Sequence, residues 1–443
     1  MENACAPFEG KKITLMGLGL LGRGGGDAEF LAKCGAQVIA TDKKTEAELA
    51  ESVAQLKNYP NIAFHLGGHR IEDFTSADMV IKAAGVPLDS PEIAAARKAG
   101  VEIVMSTALF AKYAMEAGAT IVGVTGTRGK STVSHMIHWA LSETADPSTV
   151  HLGGNVRGVS TLAMLPDIKK GDIVVLELDS WQLQGFGDLG ISPDIAVFTN
   201  LMPDHLNYYG GDMEKYFADK ASIFRFQKEG DSLIVGTSIA EKIRGSHPPV
   251  GPLVPEPIPE EWELKIPGEH NRENASLAAA TLRALGVEDE EIWASLTSFE
   301  GVEGRLQFVR EVKGVKIYND NNATTPEATI VGLKALGECV TLIIGGSDKQ
   351  LSLEELVSEI KKRVSHVILL THPHYAGSAR LAEALKARGI PYDEAGNLSS
   401  ALATAMQSAK GHALLFSPAF ASFGMFKNEY ERNDQFLRIV GAL

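Results

Sequence analysis

Cysteine is scarce in this chain. Cys5, Cys34 and Cys339 are the only three in 443 residues, and no C-x-x-C pair occurs. That spacing gives no sign of a disulfide framework or a zinc site, and all three read as reduced thiols. Long apolar runs are missing too. No stretch reaches the roughly 18 residues of a membrane span, and the first six residues lack the basic start and apolar core of a signal peptide, so a cytoplasmic protein without membrane insertion is expected. Positive charge is in deficit: 42 Lys and Arg against 56 Asp and Glu leave a net charge of -14. Without long blocks of either sign, this excludes the basic face that nucleic-acid binding requires. Any phosphate-bearing ligand must be small and held locally. What is present is the composition of a globular protein, 44% hydrophobic and 22% charged, without internal repeats. At about 150 residues per domain the length allows two to four domains. A monomer is expected.

The strongest local pattern is Val122-Gly-Val-Thr-Gly-Thr-Arg-Gly-Lys-Ser-Thr132. Thr120 to Val124 reads as a buried strand, Gly126 and Gly129 as a tight turn, and Val133 to Leu141 has helical periodicity. A strand, glycine loop and helix in this order form a phosphate cradle. Backbone N–H groups converge on an anion, the helix N-terminus adds partial positive charge, and Lys130 neutralises the outer phosphates. Ser131 would hold a magnesium ion. The spacing is shorter than in the general G-x-x-x-x-G-K-[ST] loop, because Gly126 stands only three positions before Gly129.

Three α/β segments follow from the alternation of strands and helices: 1–113, 114–300 and 301–443. The first opens with the strand Lys12–Met16, the turn Gly17-Leu-Gly-Leu-Leu-Gly22 and a helix to Lys33. A strand then ends at Asp42. This is the dinucleotide fingerprint, yet Gly24–Gly26 extends the glycine run, and such a turn holds a nucleotide-sugar diphosphate equally well. In the second segment the strands 172–178 and 195–199 carry Glu177 and the loop Asn200–His205 at their C-terminal ends, where ligands collect in parallel sheets. His205 could take a second magnesium, aim a nucleophile, or simply bond its own backbone. Lys220, alone on a helix spanning 213–226, reads as a solvated surface charge. In the third segment, polar clusters follow the strands near 316–320, 341–344, 366–370 and 413–416.

Taken together these motifs resemble the Mur ligase family over essentially the whole chain. The resemblance rests on Thr125-Gly-Thr-Arg-Gly-Lys-Ser-Thr132, Gly154-Asn155, Glu177 with Gln182, Asn200 to His205, Ala218-Asp-Lys220, Gly268-Glu-His-Asn-x-x-Asn274 and Gly304-Arg305. Asn319-Asp320, Ala323-Thr324, Gly345-Gly-x-x-Lys349 and Ser417-Pro-Ala-x-Ala-Ser422 place it nearest the MurD-like branch. The resemblance implies three α/β domains: a Rossmann-like UDP-binding domain, a central P-loop ATPase-type parallel-sheet domain, and a Rossmann-like C-terminal domain. It implies an enzyme that uses ATP and two Mg2+ ions to join D-glutamate to UDP-N-acetylmuramoyl-L-alanine through an acyl phosphate, in peptidoglycan precursor synthesis.

Residue by residue, it assigns catalysis to Lys130, Glu177, His205 and a carbamylated Lys220, and metal contact to Ser131, Glu177, His205 and Lys220. ATP falls to Gly126, Thr127, Arg128, Gly129, Lys130, Ser131, Thr132, Asn271, Asn274, Arg305 and Asp320. The UDP substrate falls to Gly17, Leu20, Leu21, Asp42, Asn155 and Gln182, and glutamate to Thr324, Lys349 and Ser422. For Lys220 the resemblance reverses the surface reading. Asn321-Asn322 stands where a Ser-Lys pair is usual, Gly304 replaces a histidine, Asp179 a serine, and Glu429 an aromatic residue. These departures open L-glutamate as an alternative. A folylpolyglutamate synthase-like ligase would lack the first segment. An NAD-dependent oxidoreductase leaves Lys130, Glu177 and His205 without a role, and a non-catalytic nucleotide-binding regulator would not need them intact.

Overall fold

The computed structural model describes residues 2–19, 22–205, 208–409 and 413–443, so Leu20 and Leu21 lie outside the described residues. Three α/β sheets are present. The first has the order β3-β2-β1-β4-β5, from β1 (Lys12–Met16), β2 (Gln37–Asp42), β3 (Ile62–Leu66), β4 (Met79–Lys82) and β5 (Glu102–Val104), all parallel. The second has the order β11-β10-β9-β6-β8-β7. Its strands are β6 (Thr120–Thr125), β7 (Val150–Gly154), β8 (Ile173–Glu177), β9 (Ile195–Phe198), β10 (Ser232–Val235) and β11 (Pro252–Leu253), again all parallel. In both sheets a central strand feeds a glycine turn, which places each turn at the middle of the sheet's C-terminal edge.

The third sheet is mixed, with the order β12-β13-β17-β14-β15-β16. It comprises β12 (Gln307–Val312), β13 (Val315–Asn319), β14 (Val340–Ile344), β15 (Val364–Leu370), β16 (Asp393–Ala395) and β17 (Ala413–Phe416). Only β12 is antiparallel, joined to β13 as a hairpin through Lys313 and Gly314. Alternation along its strands splits the apolar side chains between two cores. Leu342 and Ile344 pack on one face, while Ile343, Ile368 and Phe416 pack on the other.

The chain divides into two compact units. One runs as far as Pro257 and takes in Asn274–Ile292; the other consists of Ile258–Glu273 and Trp293–Leu443. The first unit contains both all-parallel sheets. One apolar core extends through both sheets, including Ile13 and Leu15 of β1, Leu109 and Phe110 of the helix Ser106–Glu116, and Leu176 and Phe198 of the central sheet, while Met16, Phe74 and Val80 belong to a smaller cluster on the first sheet.

Two expectations need correction. Cys5 and Cys34 are joined by a disulfide, with Cα atoms 4.8 Å apart, and only Cys339 is a free, exposed thiol. The helix Glu2–Cys5 lies where the C-cap of the helix Arg23–Lys33 brings Cys34 to it, a proximity that a 29-residue separation does not reveal. The helix expected over 213–226 ends at Lys220 and tightens into the 3-10 turn Ala221–Ile223. Among the described residues, no helix is long and apolar enough to cross a membrane.

Candidate active site

The phosphate loop is built as its sequence requires. The helix after it begins at Lys130, three residues earlier than its periodicity indicates, because Gly129 at φ 83° ends the turn in the left-handed region. That N-cap has no side-chain hydrogen bond, so the first N–H groups of the helix are not satisfied by a cap. A Cβ on Gly126 would lie 1.9 Å from Thr199 Oγ1, so only glycine fits there. The segment after β9 clasps the loop. Thr127 and Arg128 N–H donate to the Asn200 carbonyl and Asn200 Oδ1 at 2.9 Å, and Thr199 Oγ1 donates to the Arg128 carbonyl.

Two lysines converge behind this loop. Lys130 Nζ donates to the carbonyls of Gly126 (3.0 Å) and Thr127 (3.1 Å), and Lys220 Nζ donates to the same Gly126 carbonyl (2.9 Å) and to Thr125 Oγ1 (3.2 Å). Lys220 is 1% exposed, which corrects the surface reading. Burial, and then the neighbouring Lys130 charge, hold its amine well below the usual lysine range. Its Nζ lies over the Tyr216 ring, 4.9 Å from the centroid. Tyr216 also meets the Thr127 hydroxyl at 3.3 Å and the His205 ring at 6.4 Å, and burial pushes its phenol up to about 12. Sequence reasoning missed Tyr216. Its signal was the i, i+4 spacing to Lys220, which puts both on one face of the helix Met213–Lys220.

Glu177 ends β8 beside Val124 of β6 and Gly154 of β7, and is 3% exposed. Asn155 closes on it, with its backbone N–H donating to the Glu177 carbonyl (2.7 Å) and Nδ2 lying 3.5 Å from Oε1. His205 has φ 51°, a strained conformation for a non-glycine residue, and its ring packs against Trp181 at 4.7 Å. Ser131 is buried and Thr132 half-buried in the first helical turn. Among the described residues, no three His, Cys, Asp or Glu side chains form a metal cage. A cation here would need oxygens from phosphates as well as from Ser131 and Glu177. Asp179 has a more local duty. It caps the helix Ser180–Leu189 in a reciprocal box with Gln182, whose Nε2 also donates to Thr107 Oγ1 at 3.1 Å.

At the first sheet the Asp42 carboxylate braces the glycine turn. Gly19 N–H donates to Oδ2 (3.1 Å) and Lys44 N–H to Oδ1 (2.9 Å), while Gly17 N–H donates to the Thr41 carbonyl. Asn274 Oδ1 lies against Gly129 in the same compact unit. In the other unit Asn271 Nδ2 donates to the Pro267 carbonyl at 2.8 Å.

That unit also holds a cavity of about 310 Å3. Arg305, Asn322, Thr324, Lys349, Ser422, Glu429 and Tyr430 line it, and Lys349 Nζ donates to Thr324 Oγ1 at 3.0 Å. Arg305, assigned to ATP by resemblance, thus shares a wall with the three residues assigned to glutamate. Asp320 is buried, and burial pushes its carboxyl up to about 7 against hydrogen bonds from Ser417 Oγ (2.8 Å) and Leu306 N–H (3.1 Å). The unusual Asn321 does not face the cavity. Its Oδ1 accepts from Arg432 Nε and its carbonyl from Arg432 Nη2, both at 2.8 Å, which satisfies a completely buried guanidinium. Asn322 N–H donates to the Gly304 carbonyl at 2.9 Å, and a Cβ on Gly304 would press on the Asn322 side chain at 3.1 Å. Two departures from the common pattern are therefore in contact with each other.

A shortened phosphate loop backed by two lysines, with a glutamate at the neighbouring strand end, defines a nucleotide-dependent ligase of the Mur type, and the chain belongs to the Mur ligase family. It matches the MurD-like N-terminal domain over residues 11–105, the Mur ligase middle domain over 124–246 and the glutamate ligase domain over 304–420. It is similar to the UDP-N-acetylmuramoylalanine–D-glutamate ligase of Roseiflexus sp. (strain RS-1), 36% identical over 97% of this chain and 98% of the relative. The protein of the same name from Clostridium kluyveri is 33% identical over 98% and 97%. Among solved structures, UDP-N-acetylmuramate-alanine ligase MurC from Thermotoga maritima shares the fold. Its TM-score is 0.61 at 19% identity, covering 98% of this chain and 99% of that one.

Proposed function

We propose that this protein is the ATP-dependent ligase that joins D-glutamate to UDP-N-acetylmuramoyl-L-alanine in peptidoglycan precursor synthesis, acting in the cytoplasm as a monomer. The observation that carries the reading is the pair of amines on the Gly126 carbonyl, with Glu177 at the adjacent strand end. A carboxylate must approach a polyanion, and this reaction is governed by charge control and positioning. The glycine turn at Gly17–Gly22 and Asp42 hold the nucleotide end of the precursor, and Asn155 orients its muramoyl end. Gln182 keeps the turn at Asp179 in place behind it. Lys130 and the N–H groups at the uncapped start of its helix cradle the β- and γ-phosphates.

Lys220 fits the carbamate that the family resemblance implies. A buried amine whose pKa is pushed down captures carbon dioxide more readily, and the resulting anion would sit beside the Lys130 cation. Ser131, Thr132, Glu177 and His205 would hold two magnesium ions, which supply charge neutralisation at the phosphates. Asn271, Asn274, Arg305 and Asp320 serve the nucleoside and phosphates of ATP. Thr324, Lys349 and Ser422 receive the glutamate carboxylates, for which an ammonium and two hydroxyls are suited. We assign these duties to segments 1–113, 114–300 and 301–443 in turn.

ADP release measured with D-glutamate, L-glutamate and other amino acids tests the reading. Release is expected only with UDP-N-acetylmuramoyl-L-alanine present, and fastest with D-glutamate. No release with either glutamate enantiomer would sink it. Faster turnover with L-glutamate would move the assignment to a related ligase and trace the change to the cavity that contains Asn322 and Glu429.

A further inference from the structure

Arg23 is the first residue of the helix that follows the glycine turn, and its guanidinium reaches the loop after β7. Nη1 donates to Asn155 Oδ1 at 2.9 Å, and Nε donates to the Val156 carbonyl at 3.2 Å. A guanidinium has donors only, so it decides which end of the Asn155 carboxamide faces it. The oxygen must turn to Arg23 and the NH2 group away from it, toward Glu177 Oε1 at 3.5 Å. The reversed amide would set donor against donor at Arg23 and oxygen against carboxylate at Glu177. One turn further along the helix, Asp27 Oδ1 accepts from Ser160 Oγ at 2.6 Å, fixing the same two segments a second time. A continuous chain of contacts therefore runs from the glycine turn through Arg23 and Asn155 to Glu177. The guanidinium's remaining N–H groups have no hydrogen-bond partner among the described residues.

We infer that Arg23 is a positioning residue that orients Asn155 toward Glu177 and shares the diphosphate of the bound nucleotide-sugar. Occupancy of the glycine turn is thereby felt where the carboxylate reacts. This inference rests on the ligase reading above. A lysine at position 23 keeps the charge that attracts a diphosphate but loses the rigid fork that sets the amide. The two duties can therefore be separated.

The test combines calorimetric binding of UDP-N-acetylmuramoyl-L-alanine with steady-state kinetics and urea melts for Arg23→Ala, Arg23→Lys, Asn155→Ala and the Arg23→Ala/Asn155→Ala double variant. Arg23→Ala is expected to weaken precursor binding about tenfold and lower kcat about tenfold, with the KM for ATP and the urea midpoint in place. Arg23→Lys should regain the binding but not kcat, and the double variant should fall little below the worse single one. Additive losses, recovery of both constants by lysine, or a loss of stability with unchanged constants in the folded fraction would overturn the inference. An unaltered enzyme that binds the precursor but never turns over would count against the ligase reading instead, because the binding arm still measures Arg23.

Discussion

Two glycine turns of this molecule end in the same backbone cap and differ in charge. Gly22 (φ 79°, ψ -14°) and Gly129 (φ 83°, ψ -15°) are both left-handed N-caps without a side-chain partner, each following the central strand of a parallel sheet. Behind the first turn lies a buried acid, Asp27, whose carboxyl is raised to about 6 by burial against hydrogen bonds from Ser160 and Ser106. Behind the second lies a buried amine, Lys220, which burial and Lys130 push the opposite way. The first turn is braced by the Asp42 carboxylate, and the second by neutral groups, the Thr199 hydroxyl and the backbone and side-chain carbonyls of Asn200. Both turns therefore leave the first N–H groups of a helix without a side-chain cap. On the proposed function, the side chains behind them separate a site that holds an anion from one that must also bring a second anion up to it.

The sharpest way to break this comparison is to remove the lysines of the second turn. Lys130→Ala should lower ADP release about a thousandfold, the scale of a lost electrostatic stabiliser, while calorimetric binding of the UDP precursor is retained. Lys220→Ala should abolish most activity, about a hundredfold, and added short carboxylates should restore part of it. An unimpaired Lys220→Ala enzyme refutes the carbamate. At the first turn the effects should be smaller and confined to the nucleotide. Asp42→Ala releases two N–H groups and should raise the precursor KM about tenfold without changing the KM for ATP.

The smallest effect is one of pH. Asp27 has its pKa raised in the folded state, so its contribution to stability is fully present below about 3.8 and is lost as pH rises past about 6. In urea melts, Asp27→Asn should therefore gain about 1 kcal/mol on the unaltered protein between pH 5 and pH 8. A constant difference across that range would remove the buried acid from the comparison.

Much of this architecture was legible in the sequence because parallel strands buried on both faces read as apolar runs ending in polar clusters. Val122–Thr125, Ile173–Glu177 and Ala413–Phe416 are of this kind. Short edge strands such as β11 and β16 carry little apolar signal and were not legible. At the site, Lys130 and Glu177 follow from local spacing. The burial of Lys220, the role of Tyr216 and the reach of Arg23 to Asn155 depend on contacts between distant segments. Asn321 illustrates the same limit. It looks like a lost cation in the pocket, and only its hydrogen bonds to Arg432 show it stabilising a buried charge.

On the proposed function, the second turn delivers its phosphate to a carboxylate held by the first. UDP-N-acetylmuramoyl-L-alanine labelled with 18O in its alanyl carboxylate tests this directly, with mass analysis of the phosphate released during ligation. An acyl phosphate passes one carboxylate oxygen to phosphate when the amine displaces it, so released phosphate should carry one 18O per turnover. Unlabelled phosphate from an enzyme that still forms the amide would rule out phosphate transfer to that carboxylate.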